Sequence, residues 1–108
     1  MNDFGFNEMQ EIQKQLQEKY KDKWGGLSPK IARDQLLWMI IEAGEVADII
    51  KKSGDSQIMN NETVRSNFIE EMCDVLMYFN DIMLCYSITP EELMTIYRAK
   101  HRKNMERW

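Results

Sequence analysis

The chain has 108 residues, of which 44% are hydrophobic and 30% are charged, a size and composition suited to one domain with a buried core. Its formal net charge of −4 argues against a general nucleic-acid-binding protein, because neutralising phosphates requires a basic surface. The N-terminal MNDFGFNEMQ lacks the layout of a signal peptide, and the longest apolar run, LLWMII, is far shorter than the roughly 20 residues of a membrane span. We therefore expect one cytoplasmic domain over residues 1–108, without a nucleic-acid or membrane partner.

Hydrophobic residues recur at helical spacing along most of the chain, and no segment alternates as a strand would. The predicted helices cover residues 6–23, 29–52, 62–86 and 90–105. Thr89 and Glu92 predict a capping box at the start of the last helix, and Gly25-Gly26 breaks the chain after the first. Gly54 predicts the end of the second helix, which leaves SGDSQIMNN as a loop. We expect an all-α fold in which the helices form an antiparallel four-helix bundle.

Two pairs of acids lie beside the most apolar segments of the second and third predicted helices. Glu42 and Glu45 are three residues apart in LLWMIIEAGEVADIIKK, and Glu71 and Asp74 are three apart in EEMCD. Residues at this spacing share one face of a helix, so adjacent antiparallel helices can bring both pairs together. Four carboxylates in one place repel each other, and a hard divalent cation such as Mg²⁺ relieves that repulsion. The four acids are therefore candidate metal ligands, with solvated helix faces as the alternative interpretation.

A di-iron carboxylate site is less compatible with this sequence. Such bundles use Glu-x-x-His motifs, and the single histidine, His101, is not three residues after a glutamate. We expect His101 to be a surface residue of the last helix. Asp48 and Glu70 point somewhat away from the two pairs, and we expect them to be solvated or to support the ligands from outside the metal site.

The last predicted helix concentrates basic residues in YRAKHRKNMERW. Lys100 and Asn104 are four residues apart on one face, and Arg107 continues that side of the helix. A lysine binds phosphate as a point charge, and an asparagine amide can donate to a phosphate or sugar oxygen. The pattern predicts a phosphate-binding face, and the alternative is that these cations stabilise the helix C-terminus.

The order of these motifs resembles the MazG-like nucleoside triphosphate pyrophosphohydrolases of the all-α NTP pyrophosphatase superfamily, which also includes dCTP pyrophosphatases and dimeric dUTPases. The resemblance covers roughly residues 8 to 108 and includes the wording of EAGEVAD and EEMCDVLMYF. One departure is Ile41 before Glu42, where the family often has a further glutamate; the inner glutamate is the one that matches the ligand. The motifs that carry the likeness are Glu42-x-x-Glu45, Glu71-x-x-Asp74 and Lys100-x-x-x-Asn104-x-x-Arg107-Trp108.

The resemblance implies that the four acids are the catalytic site and bind Mg²⁺, with Mn²⁺ as an alternative. It implies that a metal-bound water attacks the α-phosphorus of a (d)NTP, releasing a (d)NMP and pyrophosphate. Tyr78, one turn after Asp74, would bind phosphate or ribose, and Trp24 and Trp38 would contact the base; packing is the alternative role for all three. The implied substrate contacts are Lys100, Asn104, Tyr78, Arg107, Trp24 and Trp38.

The family also implies a homodimer or a homotetramer, which wide apolar helix faces would allow. Two other functions remain open from the sequence. One is a non-catalytic helical interaction module whose acids are only solvated. The other is a pyrophosphohydrolase acting on another diphosphate-containing metabolite, such as phosphoribosyl-ATP.

Overall fold

A computed structural model describes residues 4–108, and this part of the chain is helical without any strand. The predicted all-α class is therefore confirmed. A short 3-10 turn, Pro29–Ile31, precedes the longest helix. No helix among the described residues is both long enough and apolar enough to cross a bilayer. The helices are α1 (Phe6–Lys19), α2 (Lys21–Trp24), α3 (Ala32–Asn60), α4 (Glu62–Cys85) and α5 (Pro90–Arg107).

The helix ends follow local capping chemistry. At the start of α5, the Glu92 N–H donates to Thr89 Oγ1 at 3.1 Å, and the Thr89 N–H donates to Glu92 Oε1 at 3.2 Å. This confirms the predicted capping box. Asn61 caps α4 by accepting a hydrogen bond from the Val64 N–H at 3.1 Å. Gly25 ends α2 with a φ of 87°, a backbone that favours glycine.

The second predicted helix ends at Gly54 as expected, but the loop predicted after it is wrong. Gly54 separates two helical segments of α3, and SGDSQIMNN is mostly helical through Asn60. Gly54 interrupts α3 with φ 80° and ψ 167°, which a glycine tolerates at little cost. Helical hydrogen bonding then resumes, and the Asn61 N–H bonds the Gln57 carbonyl at 2.8 Å. Gly54 therefore marks a break within the helix, as Tyr20 does between α1 and α2.

The most extensive contact between helices is that of α3 and α4, which pack side by side and are joined in the chain by Asn61. Helix α1 packs on α4, and α5 approaches α1. Within residues 4–108, no Cα of α5 lies within 8 Å of a Cα of α3 or α4. The radius of gyration is 16.3 Å, whereas a compact domain of 100 residues has about 13 Å. A main helix pair is therefore shown, and a closed four-helix bundle within one chain is not.

Helix α3 is apolar on two sides, and only one of them is covered by α4. Leu37, Ile40, Ile41 and Gly44 follow the i, i+3, i+4, i+7 spacing of one helix face, which we call the outer face of α3. Leu37 and Ile40 are 56% and 58% exposed. A helix that is apolar all round is normally buried all round. The partly covered residues on the other side include Met39, Glu42, Val46 and Ile49.

Candidate functional site

Three carboxylates meet where α3 packs against α4. Glu42 of α3 and Glu71 and Asp74 of α4 have carboxylate oxygens that all lie within 4.8 Å of one another. The spacing of three residues puts both α4 acids on one face, and the reversal of the chain places Glu42 opposite them. We call these three residues the acid cluster. It contains three of the four predicted metal ligands.

The remaining acids of this region have different surroundings. Glu45 lies outside the acid cluster, although its charge is among the causes that raise the pKa of Glu71. Asp48 forms an ion pair with Lys52 at 2.9 Å on the surface of α3. Glu70 is exposed. Asp48 and Glu70 are therefore not members of the cluster.

The acid cluster concentrates negative charge, and no basic side chain among residues 4–108 forms an ion pair with it. Among residues 4–108 the ion pairs are Lys21–Glu18 and Lys52–Asp48, and neither includes a cluster residue. Loss of solvation raises the pKa of Glu71, and a hydrogen bond shared with Glu42 and the nearby negative charges raise it further. Carboxylates crowded in this way favour binding a proton or a cation, because either one reduces their repulsion.

A cavity of about 470 Å³ opens beside the acid cluster. Asp74 belongs both to the cluster and to the cavity wall, so the two features are continuous. Trp24 and Trp38, the predicted base contacts, both line this cavity. Its volume lies within the range of about 300–1,000 Å³ found for small-molecule sites. The place where the sequence predicted a substrate is therefore a real concavity with aromatic walls.

Tyr78 also lines the cavity, one turn after Asp74. Burial raises the pKa of the Tyr78 phenol, and the negative charges of Glu42, Asp81 and Asp74 raise it further. The phenol therefore stays protonated at neutral pH and can donate a hydrogen bond into the cavity. This position suits the predicted contact with phosphate or ribose.

The polar end of the cavity contains a buried group that the sequence analysis missed. The Gln13 amide donates to Asp81 Oδ1 at 2.8 Å, and the Gln17 amide donates to the same oxygen at 3.2 Å. Burial raises the pKa of Asp81 to about 6, although the two glutamine hydrogen bonds act in the opposite direction. The signal was present in the spacing: the glutamines are four apart on α1, and Asp81 lies two turns after Asp74 on one face of α4.

The predicted phosphate contacts of α5 lie apart from the acid cluster in the single chain. Lys100 and Arg107 are exposed, and the Arg107 guanidinium lies 5.0 Å from the centre of the Trp108 ring. The Asn104 side-chain oxygen is buried and has no hydrogen-bond partner among the described residues. Because α5 approaches α1 and not α3 or α4, one chain does not bring these side chains to the acids.

Comparison with known proteins gives no relative for this chain. No family model, no curated protein and no solved structure matches it. The likeness to the MazG-like enzymes therefore stays an interpretation of the motifs quoted above.

Replacing Asp81 by asparagine tests the cost of burying its carboxylate. The pKa of Asp81 is raised from 3.8 to about 6 in the folded state. Between those pH values the folded state binds more protons than the unfolded state, so this group lowers stability as pH rises from about 4 to about 7. The shift is worth about 3 kcal/mol. We expect Asp81→Asn to gain stability over the original chain as the pH rises from about 4 to about 7, with a difference in the free energy of unfolding that grows by up to about 3 kcal/mol.

Urea unfolding of both proteins at several pH values measures this difference. Asp48→Asn is the matched control, because it makes the same substitution at a partly exposed carboxylate paired with Lys52. A gain in Asp81→Asn that does not depend on pH would contradict the ionisation argument.

Proposed function

We propose that the chain is a Mg²⁺-dependent nucleotide pyrophosphohydrolase of the MazG-like type, which cleaves a (d)NTP to a (d)NMP and pyrophosphate. The observation that carries the proposal is the position of Asp74, in the acid cluster and in the wall of an aromatic-lined cavity. A nucleotide needs an apolar surface for its base and cationic charge for its phosphates. The cavity suits the first need, and a cation at the acid cluster would meet the second.

The donor chemistry of the acid cluster fits a hard divalent cation. Glu42, Glu71 and Asp74 offer oxygen ligands, which Mg²⁺ prefers, and the cluster includes neither a histidine nor a cysteine. These three residues would hold the ion, with Glu45 as the fourth candidate because it shares a helix face with Glu42. When bound, Mg²⁺ supplies charge neutralisation for the phosphates and lowers the pKa of a water ligand. Mn²⁺ has similar ligand preferences and is the alternative ion.

The side chains of the cavity would orient the nucleotide. Trp24 and Trp38 offer indole surfaces to the base, and the protonated Tyr78 phenol donates to a phosphate or ribose oxygen. With the base in the cavity, the phosphate chain extends past Asp74 to the acid cluster. The carboxylates there also provide acceptors for the proton of the attacking water.

A second copy of the chain is part of this proposal. The outer face of α3 leaves Leu37, Ile40 and Ile41 exposed, and continuous apolar surface of this kind is normally covered. Gly44 lies on the same face, and among the described residues nothing beyond its chain neighbours and the adjacent backbone of α3 comes within 4 Å of the place where a Cβ would be. We propose a homodimer that packs through this face, with a homotetramer as a larger assembly of the same unit.

The same assembly would explain the basic residues of α5. Lys100 and Arg107 are exposed and carry the opposite charge to the acid cluster, which their own chain does not bring near them. In the proposed dimer, Lys100, Asn104 and Arg107 contact the phosphates at the acid cluster of the second copy. Opposite charges on the two surfaces favour that arrangement.

A non-catalytic helical interaction module is the second candidate function. It is favoured by the large number of exposed apolar side chains, which include Ile96 at 70% and Met105 at 72% on α5. Under that hypothesis the acid cluster is only a solvated patch. Metal binding and hydrolysis separate the two functions.

Release of pyrophosphate from a panel of nucleotides tests the enzyme directly. We expect Mg²⁺-dependent hydrolysis of at least one NTP or dNTP, and the panel includes phosphoribosyl-ATP to cover the related activity. Asp74→Asn and Glu71→Gln should each lower the rate by about 100-fold or more, because they remove groups that stabilise developing charge through the metal.

Glu70→Gln is the matched control for Glu71→Gln, since it makes the same change at the adjacent exposed residue and should leave the rate nearly unchanged. Circular dichroism verifies the helicity of each variant. A folded chain that hydrolyses no member of the panel would rule out the proposed activity.

Titration calorimetry with Mg²⁺ and Mn²⁺ separates the enzyme from the interaction module. We expect binding that is lost in Glu42→Gln and retained in Glu70→Gln. Because the pKa of Glu71 is raised, protons compete with the ion, so the affinity should fall as the pH is lowered. Equal heats for the original chain and Glu42→Gln would favour the module.

Light scattering measures the proposed assembly. We expect twice the mass of one chain, or four times, at micromolar concentration. Ile41→Glu should weaken association by at least about tenfold, because it places a charge in an apolar interface. Met59→Glu changes an equally apolar side chain that is 67% exposed and lies beyond Gly54, and it is the control. A monomeric original chain would contradict the dimer.

A further inference from the structure

Asp81 is the most buried acid of the described chain that has no cation beside it. Its exposure is 3%, and neither ion pair found among residues 4–108 includes it. It lies in the wall of the cavity, two helical turns beyond Asp74. Burying a carboxylate without compensation is costly, so its remaining partners decide what it does.

The two oxygens of Asp81 are used differently. Gln13 and Gln17 both donate to Oδ1, at 2.8 and 3.2 Å, and Oδ2 receives no hydrogen bond from the described residues. Gln35 Oε1 is a second acceptor without a hydrogen bond from the described residues. It is buried, and Gln35 lines the same cavity. The wall of the cavity therefore offers acceptors that the described residues do not satisfy.

We propose that Asp81 is a substrate-binding residue of the cavity, and that its free oxygen accepts a hydrogen bond from an N–H group on the base of the bound nucleotide. The inference rests on the proposed function, which makes a nucleobase the occupant. Trp24 and Trp38 provide the apolar contacts, and Gln13 and Gln17 hold the carboxylate in place.

The chemistry of the cavity selects an N–H donor over a carbonyl. A carboxylate only accepts hydrogen bonds, so a base carbonyl placed against Oδ2 would meet repulsion. Every base has at least one N–H on its pairing edge, and a hydrogen bond from it to a buried charge is stronger than one between neutral groups. A site built around such a bond rejects ligands that lack the donor, because the acceptor is then left buried and unpaired.

Binding of nucleosides tests the inference without using the acid cluster or hydrolysis. The probes are uridine, cytidine, adenosine and guanosine, each paired with a derivative whose pairing-edge N–H hydrogens are replaced by methyl groups: 3-methyluridine, N4,N4-dimethylcytidine, N6,N6-dimethyladenosine and 1,N2,N2-trimethylguanosine. Calorimetry measures affinity, and quenching of tryptophan fluorescence that persists in Trp108→Phe locates the ligand beside Trp24 or Trp38. We expect the nucleoside that binds best to lose at least about tenfold in affinity on methylation.

Asp81→Asn distinguishes loss of the hydrogen bond from the bulk of the methyl groups. The asparagine keeps an oxygen for the Gln13 and Gln17 amides and replaces the free carboxylate oxygen with a donor. In this variant, methylation should lower the affinity of a nucleoside by about threefold or less. A double-mutant cycle requires this result for a direct contact, because the substitution and the methylation remove the same hydrogen bond. Asp48→Asn, the same substitution at the surface, should keep the full difference.

Three results would overturn the assignment. The first is the absence of nucleoside binding at millimolar concentration. The second is an equal affinity of the original chain for a nucleoside and its methylated partner, and this measurement does not depend on the folding of any variant. The third is an equal penalty for methylation in the original chain and in Asp81→Asn. If nucleotides are hydrolysed but the nucleoside results are negative, the role of Asp81 fails and the enzyme stands. If nucleosides bind in a way that depends on their N–H donors but no nucleotide is hydrolysed, the role of Asp81 stands and the proposed activity fails.

Discussion

The packing of α3 against α4 holds three carboxylates within 4.8 Å of one another, and the repulsion among them is the constraint on which the chemistry of the chain depends. Helices α3 and α4 follow one another with one residue between them and make the most extensive helix–helix contact among the described residues. The fold therefore imposes the proximity of the acids, and the acids do not hold the fold together. Charge imposed in this way is relieved by a proton or a cation, and the raised pKa of Glu71 has the same origin.

The single chain distributes polar and apolar groups in an unusual way. Its buried side chains include Gln13, Gln17 and Asp81, whereas large apolar residues such as Leu37 and Ile40 are more than half exposed. Hydrogen bonds from Gln13 and Gln17 to Asp81 Oδ1 join α1 to α4, so this buried group fixes how α1 lies on α4. The exposed apolar residues have no such compensation. A second copy covering the outer face of α3 would give the chain the apolar core that one copy lacks.

Local chemistry made parts of the structure predictable from the sequence. The capping box of Thr89 and Glu92 and the spacing of Glu71 and Asp74 depend on residues close together in the chain, and both were identified. The course of the chain after Gly54 was not, because a glycine with positive φ can end a helix or only interrupt one, and the sequence signal is the same.

The buried group around Asp81 was missed for a different reason. Gln13 and Gln17 on α1 contact Asp81 on α4 although they lie 68 and 64 residues away from it in the sequence. Polar residues at helical spacing usually mark a solvated face, and only the packing of α1 against α4 shows that this face is turned inward. The position of α5 was missed for a related reason, because charge patterns do not show which neighbour a helix contacts.

The charge of the cavity limits how a nucleotide can enter it. Asp74 and Asp81 place two carboxylates in the wall, and the acid cluster extends the negative surface to where the phosphates would lie. A triphosphate approaching this surface alone would be repelled, whereas a neutral nucleoside would not. In the proposed site the cation would therefore have to bind before the nucleotide or together with it, whereas the proposed contact between the base and Asp81 would not need a cation. The two ends of the proposed site thus depend on different interactions. Binding at the acid cluster would require charge neutralisation, and binding in the cavity would require a hydrogen bond to a buried carboxylate.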